Sequence, residues 1–192
     1  MIGRRSTGSR PVRRADSGDL ENSKAVSEDA AHAAALRLLE SRARTRLELE
    51  QRLRRRGFEA GAIERVLDRL GAVGLVDDEA FARDLASSRV EQGVDAPRIV
   101  VELKDRGVDP DLAARIAGES APPTDRADRC RELAGARLAK LRGLRPEVQY
   151  RRLAAYLTRR GYPGDIVENV VSELVHSNVY EESGGETEYG QV

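Results

Sequence analysis

The chain has 192 residues, and its 33 Lys and Arg balance 33 Asp and Glu for a formal charge of zero. That balance excludes a uniformly basic nucleic-acid coat or a polyacidic mimic, while saying nothing of local patches. A single cysteine, Cys130, excludes an intramolecular disulfide and a four-Cys zinc module, and suits a reducing cytosol. His32 and His176, the only histidines, stand 144 positions apart and leave little for His-based catalysis or metal binding. No apolar run reaches the roughly 18 residues of a membrane span, and the polar, Arg-rich first 28 residues lack the apolar stretch of a secretory signal. A soluble cytoplasmic protein with no enzyme, cofactor or metal chemistry is expected.

With 40% hydrophobic but only 4% aromatic residues, any core is built from Leu, Val, Ile and Ala. Helix formers dominate and alternating β-branched runs are scarce, so the expected class is all-α. Lys24, Lys104 and Lys140 are the only lysines, which makes 30 of the 33 basic residues arginine. A GC-rich genome favours Arg and Ala codons whatever the function, so where the arginines fall matters more than their number.

In chain order, residues 1–27 mix Gly, Ser, Arg and Asp without apolar periodicity and read as a disordered Arg-rich extension. A first three-helix repeat is expected over 28–76. Its first helix, 28–43, carries Leu36 and Leu39 with His32 in phase and partly buried. Thr45-x-x-Glu48 is a capping box opening the second helix, whose apolar stripe is thin because Arg46 and Glu50 interrupt it. Ile63, Val66, Leu67 and Leu70 follow the one-faced helical rule in the third. Gly71-x-x-Gly74 lacks the Lys-Ser/Thr of a phosphate loop and reads as a helix end.

The second repeat, 77–120, opens on Asp77 as an N-cap, with Phe81 and Leu85 as its apolar pair. Asp77 and Asp78 read as capping and helix-dipole residues rather than metal ligands. Asp95 reads as the next N-cap with Pro97 in the first turn, and Asp109-Pro110 as the cap and first residue of a third helix. Ala121-Pro122-Pro123 breaks the chain, and Thr124 is placed to cap the third repeat, 121–176. There Leu133, Leu138 and Leu141 mark the first helix, and Cys130 shares its apolar stripe as a buried small hydrophobe. Residues 177–192, with Glu181, Glu182, Glu186 and Glu188, read as a disordered acidic tail.

These groups are copies of one unit. Aligned on Gly57, Gly107 and Gly161, the segments RLELEQRLRRRGF (46–58), APRIVVELKDRGV (96–108) and QYRRLAAYLTRRGY (149–162) share a leucine four residues before the glycine. Leu49, Ile99 and Leu153 stand eight before it, and Phe58, Val108 and Tyr162 follow it. A glycine there permits the positive φ that ends a helix, and the apolar residue after it folds back on the last turn. After the glycines, Ala113, Ile116, Ala117 and Ser120, then Val167, Val170, Val171 and Leu174, repeat the Ile63 to Leu70 pattern. Three tandem three-helix repeats forming an elongated, curved array are expected.

Two arginine faces stand out. Arg52, Arg55 and Arg56 share one helical side, where a Glu48–Arg52 pair at i, i+4 would make the face merely solvated. Arg152 and Arg159 lie seven apart, flanked by Arg151 and Arg160, in a stretch (124–162) holding 11 basic against 4 acidic residues. Tyr150, Tyr156 and Tyr162 offer stacking platforms for bases. Tyr150 and Tyr162 sit at repeat-equivalent apolar positions and read as packing residues, while Tyr156 fits either role.

The residues Arg44-Thr45-Arg46, Glu48-Leu49, Leu53 and Arg56-Gly57-Phe58, then GLVDDEAFARDL (74–85), then Arg98-Ile99, Glu102-Leu103 and Arg106-Gly107-Val108, resemble the RecX family of RecA regulators. The resemblance covers about 32–174, most specifically 36–117, and is looser in the third group. It implies a non-enzymatic modulator, monomeric and free of membrane, that binds the RecA recombinase filament on DNA. Such proteins restrain filament growth, ATP hydrolysis and strand exchange in recombination, repair and the SOS response. Direct DNA contact is left open, with Arg52, Arg55, Arg56, Arg151, Arg152, Arg159 and Arg160 as the candidate contacts. The alternative is a RecA-independent DNA-binding helical protein or transcription regulator.

Overall fold

The structure is a computed structural model that describes residues 17–184, with side chains over 27–177. Residues 1–16 and 185–192, which hold most of the basic extension and of the acidic tail, lie outside the described residues. All regular structure among the described residues is helical: α1 (Ser17–Ser41), α2 (Arg46–Arg55), α3 (Ala60–Ala72), α4 (Asp78–Glu91), α5 (Ala96–Asp105), α6 (Pro110–Ser120), α7 (Arg126–Leu138), α8 (Pro146–Thr158) and α9 (Gly164–Gly184). α1 and α9 thus reach beyond the apolar periodicity that placed their outer ends near 28 and 176.

The helices gather into two compact units. One comprises the described residues up to 42 with 49–75, and the other 43–48 with 76 onward. In the first, α1 packs on α3; in the second, α4 and α5 pack on α6, and α7 and α8 on α9. The second unit has two cores, one around Ile99, Leu103, Val108 and Ile116 and the other around Leu153, Leu157, Tyr162 and Val171.

The glycine-aligned leucines are the centre of these cores. Leu49, Leu53, Ile99, Leu103, Leu153 and Leu157 are all fully buried. Gly57, Gly107 and Gly161 take φ of +86, +85 and +93°. Beyond each, the next residue donates its N–H back to the leucine carbonyl: Phe58 to Leu53 at 3.3 Å, Val108 to Leu103 at 3.1 Å, Tyr162 to Leu157 at 3.4 Å. This is a Schellman ending, which satisfies carbonyls that the helix itself leaves without donors.

The first helices of the first two groups bury other residues than the sequence suggests, while that of the third largely keeps the expected ones. In α1 the fully buried face is Ala31, Ala34, Ala35 and Leu38, while Leu36 and Leu39 are only partly buried. In α4 it is Ala82 and Ala86, with Phe81 and Leu85 at the flank, whereas in the third group Cys130, Leu138 and Leu141 are buried as expected, beside Ala134, and only Leu133 is partly exposed. Small residues at i, i+4 let helix backbones approach closely, so the large side chains are pushed to the seam. The thin stripe of α2 is seen as expected: it buries only Leu49 and Leu53.

The caps divide. Asp77 accepts from Glu79 and Ala80 N–H at 2.9 Å each, and Asp109 from Asp111 and Leu112 at 3.0 and 3.1 Å. Thr45 accepts from Glu48 N–H at 3.2 Å. Thr124, by contrast, lies inside a 3-10 turn over Pro123–Asp125, and Asp125 precedes α7. Asp95 precedes α5 but makes no side-chain cap. Its fully buried carboxylate instead meets Arg126 Nε at 2.6 Å and Arg129 Nη2 at 3.2 Å.

Two joints in the second unit follow one plan. Thr45 Oγ1 donates to the Arg106 carbonyl at 2.6 Å, and Leu47 lies where a Cβ on Gly107 would stand. Asp95, at the equivalent place one repeat later, donates its N–H to the Arg160 carbonyl at 2.8 Å. There Arg98 fills the space beside Gly161, whose Cβ would come within 2.7 Å of Arg98 Cβ. In each case a helix start sits on the glycine turn that ends the second helix of the following repeat.

Candidate nucleic-acid and filament interface

α8 is 13 residues long, against 10 for α2 and α5, because it has an extra N-terminal turn. Pro146 opens it, and Gln149 is buried, donating Nε2 to the Leu141 carbonyl at 3.3 Å. Leu153 and Leu157 anchor one side to the core, which leaves Arg151, Arg152, Ala155 and Arg159 on the exposed side. These four, with Arg137 from α7, line an open groove of about 450 Å³. Four guanidiniums around one groove form a strongly positive surface, since no carboxylate pairs with any of them among the described residues.

Tyr156 organises this surface. Its ring carries the Arg160 guanidinium at 3.8 Å and that of Arg137 at 5.0 Å. The Nε atoms of both arginines are buried without a hydrogen-bond partner. Cation–π contact contributes about 0.5–2 kcal/mol, enough to orient both planar groups while leaving their outer N–H bonds for an anion. A planar donor fork suits the bidentate geometry of phosphate or carboxylate.

The third-group arginines are therefore brought together in part. Arg151, Arg152 and Arg159 share the groove, whereas Arg160 turns onto Tyr156. Arg137 completes the groove and was not singled out by the sequence; its signal is the basic surplus of 124–162, but only packing of α7 against α8 places it there. Tyr162 is buried as expected. Tyr150 is not: it is exposed beside Pro146, Glu147, Val175 and His176, while its neighbour Gln149 takes the buried place in line with Leu153 and Leu157.

In the first unit, Arg52, Arg55 and Arg56 are exposed at the end of α2 without a carboxylate partner among the described residues. The expected Glu48–Arg52 pair does not form. Glu48 meets Arg106 Nη1 at 3.2 Å and Arg44 Nη1 at 3.9 Å instead, and Arg54 takes Glu50 at 2.6 Å.

Elsewhere charges are neutralised locally. Glu79, Arg83, Glu119 and Arg115 close a ring across α4 and α6 with contacts of 2.7–3.3 Å. Arg89 forks Glu102 through Nε and Nη2, both at 2.7 Å, and this bond holds the Glu102 carboxyl below its ordinary range. Burial raises the Asp78 carboxyl, which accepts from Arg46 N–H at 2.8 Å. Cys130 is buried, and burial, followed by the nearby Asp95 charge, pushes its thiol up to about 11. Among the described residues no group of three or more His, Cys, Asp or Glu is placed to hold a metal ion, and no helix is long and apolar enough to cross a membrane.

Comparison with known proteins converges on one family. The family model for the first three-helix domain of RecX matches residues 31–70, and that for the third three-helix domain matches 124–171. The regulatory protein RecX of Thermobifida fusca is 42% identical over 144 residues, covering 74% of this chain and 77% of that protein. The regulatory protein RecX of Mycobacterium sp. strain KMS is 39% identical over 163 residues, covering 82% and 88%. The fold matches the crystal structure of RecX from Lactobacillus salivarius with a TM-score of 0.65 at 20% identity, over 78% of this chain and 97% of that one. With its all-helical three-helix domains and these relatives, the chain belongs to the RecX family of regulatory proteins.

Proposed function

We propose that this chain is a cytoplasmic, monomeric, non-enzymatic regulator that binds RecA recombinase filaments on DNA and restrains filament growth, ATP hydrolysis and strand exchange. Family membership supports the partner. The observation that carries the contact is the groove of unpaired arginines, Arg137, Arg151, Arg152 and Arg159, beside the Tyr156–Arg160 stack. A nucleoprotein filament offers phosphates and acidic side chains, the two anions that this geometry receives. Arg52, Arg55 and Arg56 supply a second basic face, in the first unit.

The test is RecA's DNA-dependent ATPase and strand exchange with purified protein at equimolar and lower ratios. Inhibition by the wild type is expected. Replacing Arg151, Arg152, Arg159 and Arg160 by Ala should weaken it with helical content unchanged. If the groove meets phosphate, the slope of log affinity against log salt should fall by up to about 0.9 for each phosphate that is no longer neutralised. Undisturbed RecA activity would refute the proposal. The same groove supports a second reading, DNA binding without RecA, and tight sequence-selective binding in a gel-shift assay lacking RecA would favour it.

A further inference from the structure

The glycine turn that ends the second helix is filled in two repeats and open in the third instance. At Gly107 it receives Thr45 and Leu47, with Glu48 on Arg106; at Gly161 it receives Asp95 and Arg98. The turn at the end of α2 has the same backbone: φ of +86° at Gly57, Gly57 N–H to Arg54 carbonyl at 2.9 Å, and Phe58 N–H to Leu53 carbonyl. Among the described residues nothing lies within 4 Å of where a Cβ on Gly57 would stand. Around it, Arg52, Arg55 and Arg56 are exposed and have no carboxylate partner among the described residues.

We propose that the Arg56-Gly57-Phe58 turn docks the N-terminal turn of an acidic helix on a partner protein, reproducing in trans the joint made at Gly107. The chemistry selects this occupant. A helix C-terminus presents carbonyls and the negative end of its dipole, so it takes N–H and hydroxyl donors rather than phosphate. Helix N-termini offer such donors, begin with Ser, Thr or Asp, and are enriched in the carboxylates that three arginines would pair with. The Thr45–Glu48 segment on Arg106-Gly107 has this composition: a hydroxyl on the carbonyl, an aliphatic side chain across the glycine and a glutamate on the arginine. This inference rests on the filament-binding reading, and the occupant is assigned to the protein of the filament, not its DNA.

The experiment compares four full-length proteins, wild type, Gly57→Asn, Arg56→Glu and Gly74→Asn, for binding to RecA filaments assembled on single-stranded DNA and to the same DNA alone. Asn tolerates positive φ, and a Cβ at either Gly57 or Gly74 meets none of the described residues within 4 Å, so both Asn variants should fold. Gly74→Asn, with φ of +72° and the same local cost, is the control. Gly57→Asn should weaken filament binding by about tenfold or more, with affinity for bare DNA unchanged and thermal unfolding matching that of Gly74→Asn, and Arg56→Glu should weaken filament binding by a clearly larger factor than it weakens binding to bare DNA. Should Gly57→Asn fail to fold by circular dichroism, Arg56→Glu, an exposed substitution, carries the test. Filament binding by both variants as tight as by Gly74→Asn overturns the inference, while leaving filament binding itself standing. Equal losses on bare DNA overturn it in favour of nucleic acid. A wild type that does not bind filaments at all removes both.

Discussion

Asp95→Ala separates two physical roles for one residue. As a helix cap, its removal would cost about 1 kcal/mol. In the structure its carboxylate is fully buried against Arg126 at 2.6 Å and Arg129 at 3.2 Å, whose side chains are 19% and 23% exposed. Removing one member of a buried ion pair costs about 3–5 kcal/mol, because the remaining charges stay desolvated. The partial exposure of both arginines lets them recover some water contact, which places the expected loss near the lower end, about 3 kcal/mol. With a urea m-value of about 2 kcal/mol/M, that moves the unfolding midpoint by about 1.5 M. Urea titrations followed by circular dichroism should be run beside Asp77→Ala, which removes a true cap and should cost only about 1 kcal/mol. Adding Arg126→Ala to Asp95→Ala should recover part of the loss, since one stranded guanidinium is gone. If Asp95→Ala costs no more than Asp77→Ala, the buried bridge does not hold the second and third repeats as described.

Leu103→Ala and Leu157→Ala should each destabilise by about 2–5 kcal/mol in the same titration, as fully buried leucines at core centres. Gly107→Asn should lower the melting temperature more than Gly57→Asn, since both adopt positive φ but only the former meets Leu47. Cys130, with its thiol raised to about 11, should resist a thiol reagent at pH 8 in the folded protein and react once urea unfolds it. The Glu102 carboxyl is lowered by Arg89, so its contribution is complete above its ordinary value of 4.5 and is lost as pH falls through the lower folded value. The stability gap between wild type and Glu102→Gln should therefore be widest near neutrality and close in acid; a gap constant with pH would show that the pair is not electrostatic.

The helical class, the threefold repeat and the glycine-ended second helices are legible in the order of residues alone, because they rest on local rules. A leucine four residues before a glycine is a statement about one helix and its last turn, and Leu53, Leu103 and Leu157 occupy the expected places. Asp77 and Asp109 are equally readable, their hydrogen bonds reaching only two or three residues ahead. The first helices are less so. In the third group Cys130, Leu138 and Leu141 are buried as read, but in the first two the marked residues Leu36, Leu39, Phe81 and Leu85 are only partly buried while Ala31, Ala35, Ala82 and Ala86 are buried fully, and closeness of approach is not encoded in a single helix.

The site divides along the same line. Sequence alone determined that arginines cluster at the ends of the second helices and that their charge is hidden in a net of zero, since both follow from spacing and counting. Only tertiary structure decided which arginines stay unpaired. It sent Glu48 to Arg106 instead of Arg52, brought Arg137 from α7 into the α8 groove, and turned Arg160 onto Tyr156. It also drew Asp95 away from capping into a buried bridge with residues more than thirty positions ahead. Local periodicity fixes which face of a helix is apolar, but a charge chooses its partner among everything that folding brings within a few ångströms, and that set exists only in three dimensions.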